Sequence, residues 1–244
     1  MTDAPALGTG NKLTFNAPLS TERADRLAAE LAAHGPSSVL DLGSGWGELL
    51  LRVLSAAPYA KGVGIDVHGR DIERGRTAAR ERGLDDRVTF VEGSAKDHNE
   101  GADLVLSVGA YHAIGTPAEA LARLRELVNP GGRLLFGAEF WEHPPTEDEL
   151  AHMWEGTTAD DCTDLPGLVD LAIAAGFRPL RIERSSRDEW DAFESGFRAE
   201  IEEWLAANPD HPEAPAARET IDASRTIWLR GSRDVMGFAY LTLA

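Results

Sequence analysis

The chain has 244 residues, enough for one large α/β domain or a domain with a small cap, and its 43% hydrophobic content is that of an ordinary folded protein. A formal charge of −17 offers no field to draw phosphates in, which excludes a nucleic-acid backbone as the expected partner. No apolar run approaches the ~20 residues that span a bilayer, residues 1–10 lack the basic and apolar parts of a secretory signal, and the one cysteine, Cys162, leaves no internal disulfide, so the chain is expected to be cytoplasmic with no membrane partner.

Residues 1–9 are small and polar and read as loosely held. Residues 12–18 carry Leu13 and Phe15, have few anchors of their own, and are expected to fold over a ligand. Ser20 caps a helix with Ala24, Leu27, Ala28 and Leu31 on one face, ending near Gly35 and Pro36. Residues 1–35 thus form a lid and helix ahead of a main domain over 36–244. Residues 38–42 are a buried parallel strand that runs into Gly43, Ser44, Gly45, Trp46 and Gly47. Helical spacing of Leu49, Leu50, Val53 and Leu54 follows, then a strand over 62–65 with Asp66 at its carboxyl end. Residues 69–82 make a surface helix closed by Gly83, 87–91 a third strand, 93–97 a loop and 102–108 a fourth strand. Thr116 and Pro117 open a helix to about Val128, residues 129–132 (Asn-Pro-Gly-Gly) turn, and 133–140 are a fifth strand.

Alternating strands and helices predict a doubly wound, mostly parallel sheet with right-handed crossovers. After Pro144 and Pro145 the pattern changes. Residues 146–154 and 164–175 read as helices, 177–183 as a strand, 188–207 as a long helix, 216–230 as another, and 235–243 as a last strand, the seventh. The segments at about 144–175 and 187–231 read as helical cap insertions.

Three glycines in five residues mark a sharp strand-to-helix turn where backbone approaches a ligand closely. Asp66 lies about 20 residues further on, where a nucleotide-binding β-α-β unit places an acid on ribose hydroxyls. Asp41 precedes the turn, and an extra carboxylate there would repel a pyrophosphate. A cofactor with a ribose and a cationic amino-acid tail fits better, which points to S-adenosylmethionine. The sequence from Val39 to Gly47 resembles the first motif of the class I S-adenosylmethionine-dependent methyltransferases. That likeness extends through Asp66, the Gly93 loop and the turn at 129–132. Gly109-Ala110, Phe140-Trp141, the run from Leu165 to Val169, Trp190-Asp191 and the run from Trp204 to Asp210 are similar to a little-characterised bacterial subgroup acting on small molecules. The resemblance implies a Rossmann-like methyltransferase fold, with an antiparallel last strand and a helical cap. It implies cofactor contacts at Asp41, Gly43, Ser44, Gly45, Asp66, Val67, Ser94, Ala95 and Gly109. Many relatives have an acid after the Gly93 equivalent, where this chain has Ser94; Ser94, Ala95 or Asp97 then takes the adenine contact.

Methyl transfer needs a nucleophile held in line, water excluded and, for a protonated nucleophile, a base. In such a sheet that site lies beyond the carboxyl ends of the strands. After the fourth strand, His112 is the candidate general base, since the ordinary pKa of histidine lies close to working pH; otherwise it packs. Glu139, at the end of the fifth strand, is either a substrate ligand or a salt-bridge member. Phe15, Tyr111, Trp141 and Trp190 are the candidate substrate contacts, with core packing the competing role for Trp141 and for the stripe of Trp190, Phe193 and Phe197. The histidines show no metal-ligand spacing, so no metal is expected. Two other classes stay open from the residues alone: a nicotinamide-dependent oxidoreductase and a non-catalytic cofactor-binding module.

Overall fold

The computed structural model describes residues 3–244; Met1 and Thr2, part of the stretch expected to be loosely held, lie outside the described residues. The chain divides into two compact units. One comprises 20–139, 165–184 and 238–244, and the other residues 3–19, 140–164 and 185–237.

The first unit carries the sheet, apart from the strand ends at 140–141 and 236–237. Its strands are β1 (Ser38–Leu42), β2 (Lys61–Asp66), β3 (Val88–Glu92), β4 (Ala102–Val108), β5 (Val128–Trp141), β6 (Pro179–Arg184) and β7 (Met236–Leu243). They lie in the order β3-β2-β1-β4-β5-β7-β6. The pairs β1–β2, β1–β4, β2–β3 and β4–β5 are parallel, and β6–β7 is antiparallel. This is the expected doubly wound architecture with an antiparallel closing hairpin. The strand order reverses between β1 and β4, so a crevice opens beyond their carboxyl ends. Both strands are apolar and buried almost throughout because the sheet is covered on its two faces.

Helices α1 (Thr21–Ala32), α2 (Glu48–Ala56), α3 (Gly69–Glu81), α4 (Pro117–Leu127) and α6 (Leu165–Ala174) belong to this unit. Their starts follow local chemistry. The Ser20 side chain accepts from Arg23 N–H at 3.2 Å, and Thr116 and Glu119 cap α4 reciprocally with Pro117 in its first turn.

The second unit contains α5 (Glu147–Ala151), α7 (Arg187–Ala207) and α8 (Ala214–Thr226). Ile201, Trp204, Leu205, Ala214 and Ile221 form one core between α7 and α8. The N-terminal segment is better anchored than expected. Lys12 pairs with Glu203 at 2.6 Å, Asn11 donates to Glu200 at 3.0 Å, and Thr9 also donates to Glu200. Phe15 is buried, and Leu13 lies against Gly196, whose added Cβ would stand 2.5 Å from its Cδ2.

Two boundaries differ from the sequence reading. β5 begins at Val128, before the expected turn. Val128 pairs with Ala102 while Arg133 pairs with Leu104, so the turn residues form an irregularity inside the ladder, with Gly131 at φ +78°. α8 stops at Thr226 and continues as a π-turn over Ile227–Ser232. Gly231 sits there because its backbone meets His152: a Cβ would stand 2.9 Å from that carbonyl oxygen. Among the described residues no helix is long and apolar enough to cross a membrane.

Candidate active site

The crevice at the β1/β4 reversal is built first from backbone. Gly43, Gly45 and Gly47 adopt φ of +74°, +53° and +68°, a left-handed region that costs glycine nothing. Gly43 N–H and Ser44 N–H both donate to Ile65 O at 2.9 Å, which ties the turn to the end of β2. A Cβ on Gly43 would overlap that of Ala110, so the loop after β4 rests directly on the turn. Gly109 enters that loop at φ +65°.

Asp66 pins the turn. Its Oδ2 accepts from Gly45 N–H at 2.8 Å and its Oδ1 from His68 N–H at 2.9 Å. A carboxylate has about four acceptor sites, so two remain for hydroxyl donors. Asp41 is buried, and its pKa is pushed up to about 7, first by loss of solvent and then by the negative charge of Asp66. Ser94 caps the short turn Ala95–Asp97, accepting from Lys96 N–H at 3.3 Å; Ala95 is buried beneath it. Val67, just past the end of β2, is 58% exposed. The glycine cradle, the acceptors of Asp66 and the buried Asp41 suit a ligand that brings hydroxyl donors and a positive charge.

His112 lies in a one-turn helix, Tyr111–Ala113, just after β4, and Glu139 near the end of β5. Their Nε2 and Oε2 atoms are 3.6 Å apart. The His112 side chain is 66% exposed, while Oε2 of Glu139 is buried with no hydrogen-bond partner among the described residues. Tyr111 is fully buried, and its ring backs that of His112 at 3.8 Å between centroids. Its buried ring packs against the histidine, the packing role left open for it.

Phe15, Trp141 and Trp190 belong to the other unit. Trp141 is buried with Met153 and Val235, and its indole N–H donates to Ala159 O at 2.9 Å. This is a core contact, the competing role foreseen for it. Trp190 stacks edge-on with Phe193 at 6.1 Å and lines a small recess with Trp228, Ser232, Arg233 and Met236.

Two contributors were not read from sequence. Ala110 supplies the close contact with Gly43, and Arg74 of α3 lies over the ring of Trp46, in the glycine turn, at 3.9 Å. Ala110 belongs to the Gly109-Ala110 pair of the subgroup likeness, but its contact, like that of Arg74, depends on which loop and helix fold against the turn. Among the described residues no three His, Cys, Asp or Glu gather as a metal site.

A family model described as a methyltransferase domain matches residues 34–198, more than half of the chain. The chain belongs to this methyltransferase family. The methyltransferase is 28% identical over 228 residues to the uncharacterized protein YjhP of Escherichia coli, covering 93% of this chain and 92% of that protein. The crystal structure of YjhP superposes with a TM-score of 0.85 at 27% identity, covering 97% of each chain. A SAM-dependent methyltransferase from Geobacter sulfurreducens, crystallised in complex with S-adenosyl-L-homocysteine, gives 0.84 at 27% identity, covering 100% of this chain and 99% of that one. One from Thiobacillus denitrificans, also in complex with S-adenosyl-L-homocysteine, gives 0.83 at 27% identity over 95% and 94%.

Proposed function

We propose that this methyltransferase modifies a small molecule in the cytoplasm, with His112 as general base and Glu139 receiving a hydrogen-bond donor of the substrate. The enzyme is a class I S-adenosylmethionine-dependent methyltransferase, and the family match sets aside the oxidoreductase and non-catalytic readings. S-adenosylmethionine supplies, when bound, an electrophilic methyl group on a sulfonium. The chain's own residues hold and orient. Gly43, Ser44 and Gly45 give the close backbone approach, with Gly109 facing them from the next loop. Asp66 accepts from the ribose, Asp41 faces the cationic part, and Val67, Ser94 and Ala95 border the adenine.

The observation that carries the catalytic assignment is the buried Oε2 of Glu139, without a hydrogen-bond partner among the described residues and 3.6 Å from His112 Nε2 at the carboxyl ends of neighbouring strands. A buried acceptor without a donor is costly, and a substrate N–H or O–H relieves that cost. His112, exposed and backed by Tyr111, takes the proton that the nucleophile loses. Phe15 and Trp190 are proposed to contact substrate, while Trp141 is assigned to packing. The charge of −17 favours a small substrate over a nucleic acid.

The test uses the full chain. S-adenosylhomocysteine at ~100 times its dissociation constant should stabilise it by roughly 2.7 kcal/mol, and a nicotinamide dinucleotide should not. Methyl transfer to a fractionated small-molecule extract should then fall ~10²–10⁴-fold in His112→Ala or Glu139→Gln, with cofactor affinity little changed. Unchanged turnover in both variants would remove them from the chemistry.

A further inference from the structure

Phe90 of β3 is buried, lies outside the cofactor contacts, and has no role in the chemistry described above. Three glycines from three elements nevertheless close on its ring. A Cβ on Gly47, in the cofactor turn, would overlap the ring outright. A Cβ on Gly64 of β2 would stand 2.9 Å from Cδ1 and Cε1, and one on Gly75 of α3 would stand 2.9 Å from Cε1 and Cζ. Real Cβ atoms do not approach so closely, so each element reaches its position only because it has no side chain there. The same two glycines also touch the turn itself. The Gly64 Cβ would lie 3.1 Å from Ser44 Oγ, and the Gly75 Cβ 3.0 Å from Trp46 O. The Phe90 carbonyl accepts from Arg76 Nη2 at 2.7 Å, which fixes its strand to α3.

From this convergence we propose that Phe90 is a positioning residue for cofactor binding: its ring sets the height of the Gly43–Gly47 turn without touching the ligand. The proposal rests on reading that turn as the cofactor cradle. Glycine at 64 and 75 costs helix or strand propensity, and a ring that only filled space would be met by ordinary side chains. Here three glycines from three elements converge on the Cε1 edge of the ring, so the position of the ring is transmitted to the turn with little slack. A displacement of about 1 Å in such a cradle is enough to lose binding heavily.

The experiment is calorimetric titration of S-adenosylhomocysteine into the full chain, well below the melting temperature. Phe90→Leu should weaken binding roughly tenfold. Leu121→Ala, in the buried face of α4, should lower the melting temperature yet bind as the parent does. Gly64→Ala should weaken binding in the parent background and restore part of it in Phe90→Leu, where the methyl refills the space, so the two effects should not add. Gly75→Ala presses on the ring from α3 and serves if Phe90→Leu does not fold. Asp66→Ala is measured alongside. If Asp66→Ala loses affinity while Phe90→Leu and Gly75→Ala bind normally, Phe90 is only core and this proposal falls alone. If Asp66→Ala also binds normally, the cradle assignment itself is wrong.

Discussion

Asp41 illustrates how one residue can be tuned against its own protein. In the ligand-free chain burial and the charge of Asp66 raise its pKa to about 7, whereas an unfolded aspartate titrates near about 3.9. Between those values the folded chain keeps a proton that the unfolded chain has released. Stability therefore falls as pH rises through that window and levels off above it. Asp41→Asn should be more stable than the parent above about pH 7, and the difference should vanish near about pH 4, as read by thermal unfolding across pH. The ligand reverses the preference. A cationic cofactor favours the ionised form, so its affinity should drop by up to about tenfold per unit as pH falls below about 7, with a flat profile in Asp41→Asn. Calorimetry on either side of neutrality checks this, and matching profiles in the two proteins would take Asp41 out of the cofactor's reach. At this scale the sequence was informative where chemistry and position coincide. Asp41, Asp66, His112 and Glu139 each end or follow a strand, and strand ends were readable. Ala110 and Arg74 act through contacts that no local pattern announces.

Among elements, α7 shows how a helix gathers a segment distant in sequence. Gly196 lies in its interior, where glycine costs about 1 kcal/mol relative to alanine, and the empty position admits Leu13. Glu200 and Glu203, one and two turns on, take Thr9, Asn11 and Lys12. Exposed pairs of this kind contribute little each, so the segment is docked but not locked. Glu200→Ala should speed amide exchange around residues 9–13 several-fold while leaving that of β1 and β4 unchanged. Equal exchange in the two proteins would show that Leu13 and Phe15 alone hold the segment. Helix and strand identities were legible because apolar periodicity is strong in α1, α2 and β1–β5. The start of β5 and the end of α8 were not. Asn-Pro-Gly-Gly fits a free turn as well as a ladder irregularity, and the π-turn depends on the backbone of His152, far away in the chain.

For the molecule as a whole, the doubly wound sheet was read correctly because seven apolar runs alternate with helices, and the final hairpin followed from the family likeness. The two units are interleaved along the chain. The cap insertions at about 144–175 and 187–231 fall partly in the second unit, but α6, expected in the cap, belongs with the sheet, and the N-terminal segment joins the helical unit instead. The sheet order has a consequence for synthesis. β7, at residues Met236–Leu243, lies between β5 and β6, so β6 has no neighbour until the last strand emerges. The helical unit is likewise drawn from three separated stretches, the last ending at Gly237. Closing such distant segments makes folding slow and leaves unpaired edges exposed meanwhile. A chain truncated before Met236 should therefore remain protease-sensitive around β6 while β1 to β4 gain protection, as limited proteolysis of the truncated and full chains checks. Pairing of β6 thus waits on residues 236–243, far along the chain from β5.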